Sequence, residues 1–284
     1  VNYYIIIPAH NEDQFLHDTL HSVVKQTVSP KKVVVVNDNS TDNTEHIIDR
    51  FTSEYSFVTK VNTKSSTAHM PGSKVINAFN KGLELLDEDY DFLVKLDADI
   101  ILPDSYFERI AQIFSSDPKI GIAGGFIFEQ DKNGEWKLNH PMDKSHVRGA
   151  FKAYRKSCFN TIGGLKTAMG WDTVDELLAQ YNGYNIYTDT SLHAKHLRPL
   201  GNAYNKKAKL LQGKAMYTMR YGFRITLIAS LKMAIKQKKP KAFWDNLQGY
   251  FLARNEKADF LVSPLEGKFI RELRWKKIKA KLFN

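Results

Sequence analysis

Two apolar runs in this chain end in acidic clusters: VVVVNDNSTDNT at 33–44 and FLVKLDADI at 92–100. Runs of β-branched and aromatic residues without polar alternation read as strands buried on both faces. Each strand then delivers carboxylates at its C-terminal end, the edge where open α/β sheets bind ligands. Asp97 and Asp99 flank one small residue, Ala98, so two carboxylates can converge on a divalent cation bridging a diphosphate. The pattern points to a metal-dependent protein that binds a nucleotide and transfers a group.

The surrounding chain supports that frame. YYIII (3–7) reads as a strand ended by Pro8, and helical spacing follows from Glu12 to about Gln26. After the second strand, Val33–Val36, Ser40-Thr41-Asp42 opens a helix through about Tyr55, with Ser40 and Asp42 as capping residues. FVTKV (57–61) is a third strand, 62–72 a polar loop containing His69, and 73–86 a helix that tolerates Gly82. Asp91–Leu96 is the fourth strand. Strands alternating with helices imply right-handed crossovers and a doubly wound, mostly parallel α/β sheet with helices on both faces.

Later elements are more mixed. Pro103 opens a helix to about Ser115, GIAGGFIF (121–128) is a strand, and the Asn-Gly in DKNGEWK marks a hairpin. A strand and short helix span 148–165, WDTVDELLAQYNG (171–183) is a helix, and 184–188 is another strand. From about 205 the chain is basic and helical, with a break near Pro240. The expected division is a catalytic domain at 1–204, with a nucleotide half at about 1–100 and an acceptor half at about 101–204, followed by a basic helical region at 205–284.

Charge separates the same two parts. Residues 205–284 carry 20 Lys+Arg against 5 Asp+Glu, a balance of +15, whereas 1–204 has a balance of −5. A basic tail of this kind favours an anionic surface. The segment 213–244 mixes aromatics, aliphatics and lysines, which suits a helix lying on an anionic membrane; no motif accompanies the charge to suggest nucleic acid. The apolar stretch 223–235 is short and interrupted by Arg224 and Lys232, and the chain opens on a strand rather than a leader. One cysteine, Cys158, cannot form an internal disulfide. These features predict a cytoplasmic protein, peripheral on the inner face of the membrane.

PAHNE (8–12), NDNSTDNT, the Asp-Ala-Asp at 97–99, Gly163-Gly164 and WDTVDE (171–176) together resemble glycosyltransferase family 2 in order and spacing. The resemblance covers roughly residues 2–200. It implies a GT-A fold, a nucleotide-sugar donor (UDP most often) and inversion by single displacement onto a saccharide or lipid-linked acceptor in bacterial surface polysaccharide or lipopolysaccharide synthesis.

Residue roles divide between chemistry and resemblance. Glu12 and Asp38 follow strands one and two, where carboxylates can accept hydrogen bonds from a base and from ribose hydroxyls; the alternatives are a helix-terminus charge for Glu12 and a turn for Asp38. Pro8 and His10 belong to the same nucleotide-contacting motif. Lys74 can neutralise diphosphate or be a solvated lysine. The resemblance implies that Asp99 binds Mn²⁺ or Mg²⁺ directly, with Asp97 on the ribose or on the metal through water. It also places a histidine ligand at His196, with His193 as competitor. For the base that deprotonates the acceptor, Asp172 holds the family position, although Trp171 replaces the usual acidic neighbour; Asp175 is second and Glu176 third. Trp136, Tyr154 and Trp171 are sugar platforms or core, Gly163-Gly164 permits a tight loop near the donor sugar, and Arg148 is a further candidate cation.

Other classes fit less well. A nucleotidyltransferase needs a glycine-rich basic loop where PAHNE stands, and a dinucleotide oxidoreductase needs G-x-G-x-x-G there. A catalytically degenerate scaffold domain would have no reason to keep Asp97, Asp99 and Asp172. Arg274-Trp275 lies within RELRW without the glutamine that processive synthases carry, so it reads as a chance match far from the site.

Overall fold

The computed structural model describes residues 1–65, 72–138, 146–198 and 206–282. His69 and most of its loop lie outside these residues. The first elements are β1 (Tyr3–Ala9), α1 (Leu16–Val24), β2 (Lys32–Asp38), α2 (Thr44–Glu54), β3 (Val58–Thr63), α3 (Ser73–Leu83) and β4 (Phe92–Leu96). They are followed by β5 (Ile100–Ile101), α4 (Tyr106–Ser116), β6 (Ile120–Gln130), β7 (Trp136–Leu138), β8 (Phe151–Arg155), α5 (Lys156–Thr161), α6 (Trp171–Tyr181) and β9 (Asn185–His196). The remaining helices are α7 (Lys206–Thr218), α8 (Phe223–Gln237), α9 (Lys241–Asn255) and α10 (Pro264–Leu282).

The nine strands form one sheet in the order β3-β2-β1-β4-β8-β6-β9-β5, with β7 paired to β6. The first four run parallel, as the buried apolar runs predict. Val33 to Val36 of β2 have no exposed surface, and each such side chain contributes roughly 1.5–3 kcal/mol of burial. Beyond β4 the expectation of a mostly parallel sheet gives way to a mixed one. β8 enters antiparallel to both β4 and β6, and β5 lies antiparallel to β9. The order reverses direction between β1 and β4, which makes their C-terminal edge a topological switch point.

Local signals explain several elements. Gly134 adopts φ 80° in the Asn-Gly turn, and β6 and β7 pair as the hairpin expected there. Gly82 sits on the sheet side of α3, where a Cβ would lie 2.6 Å from Ile6 Cγ2, so glycine lets the helix approach β1. β9 runs twelve residues, well beyond the strand expected at 184–188, because it pairs along both β6 and β5.

By their contacts the described residues form two compact units. The first holds all nine strands with α1, α2, α4, α5 and α3 from Lys74 onward; the second holds α6 to α10. Helix α6 thus groups with the later helices, and the division does not run along a single boundary at 204. Within the second unit α7 and α9 meet backbone to backbone: a Cβ on Gly213 would overlap the Asn246 carbonyl, and one on Gly249 the Leu210 carbonyl. Pro240 caps the start of α9, matching the expected break. Among the described residues no helix is long and apolar enough to cross a membrane.

Candidate active site

A cleft of about 440 Å³ opens at the switch point, lined by residues of the first unit that include Pro8, His10, Glu12, Asp38, Lys74, Asp97 and Asp99. This volume lies within the range of small-molecule sites. Pro8 and Asp38 stand at the C-terminal ends of β1 and β2, His10, Glu12, Asp97 and Asp99 in the loops after β1 and β4, and Lys74 in the first turn of α3. All the nucleotide-contacting candidates read from the sequence therefore share one cavity.

The loops after β1 and β2 are stapled together by short polar side chains. Asn11 and Asn39 take positive φ values of 54° and 55°, a conformation asparagine tolerates better than most residues. The Asn11 amide donates to Ser40 Oγ (3.1 Å), the Glu12 amide to Thr44 Oγ1 (2.7 Å), and the Asp13 amide to Asp42 Oδ2 (3.2 Å). Asp42 also accepts the Thr44 amide at 3.0 Å, so Ser40 and Asp42 join loops rather than merely capping α2. His10 Nδ1 donates to the Asp38 carbonyl at 2.6 Å, and Asp38 Oδ1 accepts the Ser65 amide at 2.7 Å.

The Asp97-Ala98-Asp99 turn is fixed from three sides. The Asp97 amide donates to the Ala150 carbonyl (2.7 Å), Thr19 Oγ1 to the Ala98 carbonyl (2.8 Å), and the Leu197 amide to the Asp99 carbonyl (2.9 Å). Lys95, almost wholly buried on β4, forms an ion pair with Asp97. Burial at the cleft floor pushes the Asp97 carboxyl upward, and Lys95 opposes it.

Asp99 Oδ2 lies 3.3 Å from His196 Nε2, while His196 Nδ1 lies 3.1 Å from Glu129 Oε1. Register explains the meeting, since β5 and β9 pair Ile100 with His196 and β6 pairs Glu129 with His196. Burial works against ionisation of Asp99, yet the His196 hydrogen bond and charge, with Arg198, hold it below the usual carboxylate range. Burial also works against a charged His196, but Asp99 and Glu129 raise its pKa. His193 lies elsewhere, with Nε2 on the Thr190 carbonyl at 3.0 Å and its ring against Phe128.

This donor set fits a divalent cation. One carboxylate and one imidazole would face it, and Glu129 would orient the imidazole from behind, the usual outer partner of a metal-bound histidine. Among the described residues no group of three or more His, Cys, Asp or Glu side chains is arranged to hold a metal. Diphosphate and water would complete the shell, the ordinary arrangement for Mg²⁺ at phosphate sites.

Three residues escaped the sequence reading. Arg198 forms an ion pair with Glu12, stands 3.3 Å from Asp99 Oδ2 and lies over the Phe15 ring at 5.3 Å. Nothing local in KHLRPLG signals a partner 186 residues away. Lys95 carried a signal, a charge inside an apolar strand, and Glu129 carried one too, a carboxylate directly after the apolar run FIF. Glu12 itself is pushed up to about 7, chiefly by burial, with Arg198 opposing.

The second unit holds the candidate base residues. Asp172 lies in the first turn of α6, and Asp175 and Glu176 are buried. Trp171 is buried as well. In the same unit Arg274 Nη2 donates to the Tyr221 hydroxyl at 2.6 Å, and the Asp172 charge acts on that hydroxyl. Arg274 of RELRW and Asp172 therefore both act on the Tyr221 hydroxyl. Tyr154 is fully buried in the sheet and edge-on to Phe159, which makes it core rather than a sugar platform. Trp136 lies on the β6–β7 hairpin under Lys195, and Arg148 does not line the cleft. Gly163 and Gly164 both take positive φ, 69° and 70°, in the tight loop expected of them.

Carboxylates line the switch-point cleft of this partly parallel α/β sheet, with no glycine-rich loop after β1. The family model described as "Glycosyl transferase family 2" matches residues 4–170, more than half of the chain, and the chain belongs to that family. Its fold is that of the GT-A glycosyltransferases. The poly-β-1,6-N-acetyl-D-glucosamine synthase of Staphylococcus epidermidis is 26% identical over 179 residues, covering 59% of this chain and 41% of that protein. Its counterpart from Staphylococcus aureus strain COL is 24% identical over 228 residues, covering 73% and 53%. The chain thus spans about half the length of the curated relatives it matches. Among solved structures, S. aureus TarS 1–349 in complex with UDP-GlcNAc has a TM-score of 0.57 at 18% identity, covering 75% of this chain and 65% of that one. The mannosyltransferase PcManGT from Pyrobaculum calidifontis, in complex with GDP-Man and Mn²⁺, has a TM-score of 0.58 at 16% identity, covering 94% and 78%.

Proposed function

We propose that this glycosyltransferase moves a sugar from a nucleoside-diphosphate donor, a UDP-sugar, to a saccharide or lipid-linked acceptor in bacterial surface polysaccharide or lipopolysaccharide assembly. The observation that carries the donor site is the convergence of Glu12, Asp38, Lys74, Asp97 and Asp99 on one switch-point cleft. The choice of UDP and of surface polysaccharide draws support from the TarS complex and the synthase relatives.

In this reading Asp38 and Glu12 bind base and ribose beside Pro8 and His10, and Lys74 meets the diphosphate. Arg198 is a second cation for the diphosphate, because it is already held at the mouth of the cleft by Glu12 and Asp99. Asp99 and His196 would hold Mn²⁺ or Mg²⁺, and an imidazole ligand favours Mn²⁺. The ion would supply charge neutralisation to the leaving diphosphate. Asp97 orients the ribose and is itself oriented by Lys95.

The acceptor hydroxyl attacks the anomeric carbon as the bond to the diphosphate breaks, and its proton passes to a carboxylate. Asp172 is the proposed base and Asp175 the second choice. One base and no positioned nucleophile support single displacement with inversion. A lipid-linked acceptor would place the enzyme on the cytoplasmic side, peripheral on the inner face of the membrane.

Calorimetric titration with UDP, GDP and dTDP, each with Mn²⁺ and with EDTA, tests the donor site. Metal-dependent binding of one nucleotide, lost in Asp99→Ala, is the expected result. If no nucleotide binds in any condition, the donor site is refuted and a catalytically degenerate scaffold domain becomes the better description.

A further inference from the structure

Helix α8 is packed inside out. It buries Thr226, Ser230 and Ala234 along with Ile225, and the Ser230 hydroxyl has no hydrogen-bond partner among the described residues. Its large side chains face outward instead. Phe223, Leu227, Leu231 and Ile235 recur every four residues and are all exposed, Leu231 by 53% and Ile235 by 69%. Spacing of four aligns them in one ridge about 18 Å long at 1.5 Å per residue. A helix on the surface of a soluble domain does the reverse, turning its aliphatic side inward.

Helix α9 widens the ridge into a face. The rings of Phe223 and Phe251 meet at 5.5 Å, and Trp244, 68% exposed, borders a groove of about 410 Å³ with Leu231, Ile235 and Phe243. Helix α7 does not contribute, since Ala215 and Met216 are buried. The exposed apolar surface therefore begins at residue 223, later than the 213 expected from sequence, and continues past 244.

Charge identifies the occupant. Arg224, Lys236, Lys238, Lys239 and Lys241 are exposed on α8, α9 and the turn between them. Asp245 is the one acidic residue between 223 and 255. Two copies docked through this face would bring like charges together, and nucleic acid would leave the apolar ridge in contact with phosphate. An anionic bilayer meets both features, with headgroups for the lysines and acyl chains for the ridge. At 15 residues α8 is too short to span, so the contact is interfacial.

We propose that the outward face of α8 and α9 is a docking surface for an anionic lipid bilayer. The surface accounts for a peripheral location without depending on the donor site, so each can fail while the other stands.

The test is co-sedimentation of the full chain with vesicles of phosphatidylcholine, with and without phosphatidylglycerol. The expected result is binding only to the anionic vesicles, weakened by salt. Lys238→Gln/Lys239→Gln/Lys241→Gln should bind about a hundredfold more weakly, at roughly fivefold for each lysine lost. Leu231→Ser/Ile235→Ser should lose binding although the net charge of the face stays unchanged. Both variants change exposed residues, and unchanged circular dichroism and melting would show that they fold. Absence of vesicle binding by the parent chain, or equal binding by either folded variant, overturns the proposal. Self-association of the parent that Leu231→Ser/Ile235→Ser disperses, without vesicle binding, would assign the face to a second copy instead.

Discussion

Glu12 offers a quantitative test of the cleft's electrostatics. Its carboxyl is 15% exposed, sits beside Asp97 and Asp99, and pairs with an Arg198 that is itself 47% exposed. Burial outweighs the arginine and lifts the pKa from 4.5 to about 7. A carboxyl with a raised folded-state pKa holds its proton in the folded protein while the unfolded chain has released it. Folding stability therefore falls as pH rises from 4.5 to about 7. A shift of this size corresponds to at most roughly 3 kcal/mol. Glu12→Gln removes the titration and keeps the shape. Relative to the parent, the variant should be near neutral at pH 5 and gain stability by up to roughly 3 kcal/mol at pH 8. Urea denaturation of both proteins in EDTA at the two pH values gives the double difference, which cancels every other titrating group. Arg198→Ala should steepen the parent's pH dependence, because the arginine's charge lowers the Glu12 pKa. If Glu12→Gln is instead more destabilising at pH 8 than at pH 5, the ion pair wins over burial and the reasoning is wrong.

Three further outcomes follow from other parts of the molecule. Glu129→Gln removes the charge behind His196 and should weaken Mn²⁺ affinity about 10- to 100-fold in calorimetry; an unchanged affinity would remove His196 from the ligand set. Gly249→Ala places a Cβ on the Leu210 carbonyl and should destabilise by about 1–3 kcal/mol, seen as a lower melting temperature. Asp189 accepts bonds from the Ser191 amide at 2.8 Å and from Arg109 Nε at 2.7 Å. Burial works against its charge, but these bonds outweigh it and hold its pKa below 3.8. The stability it adds is therefore present above 3.8 and lost as pH falls through the lower folded value. Asp189→Asn should cost roughly 1–3 kcal/mol at pH 7 and flatten the acid limb of the stability profile; an unaltered limb would show that the bonds add nothing.

The amino-acid sequence determined what is local. Unbroken apolar runs specify strands buried on both faces, and residues immediately after them must lie at the C-terminal edge whatever the rest of the chain does. Glu12, Asp38, Asp97 and Asp99 were legible for that reason, as were Gly134 in its hairpin and Pro240 at the start of α9. Tertiary structure decided what depends on register between distant strands. The antiparallel entry of β8 follows no local period, and the long pairing of β9 puts His196 rather than His193 beside Asp99. Arg198 reaches Glu12 across 186 positions, and Lys95 is buried in a strand that pairs with β1 on one side and β8 on the other. The inverted face of α8 is likewise invisible in a stretch whose aliphatic residues recur on every side of the helix, where composition alone does not say which side is covered. Side-chain periods are properties of a segment, whereas partners are chosen by crossovers and strand pairing, and those exist only once the chain has folded.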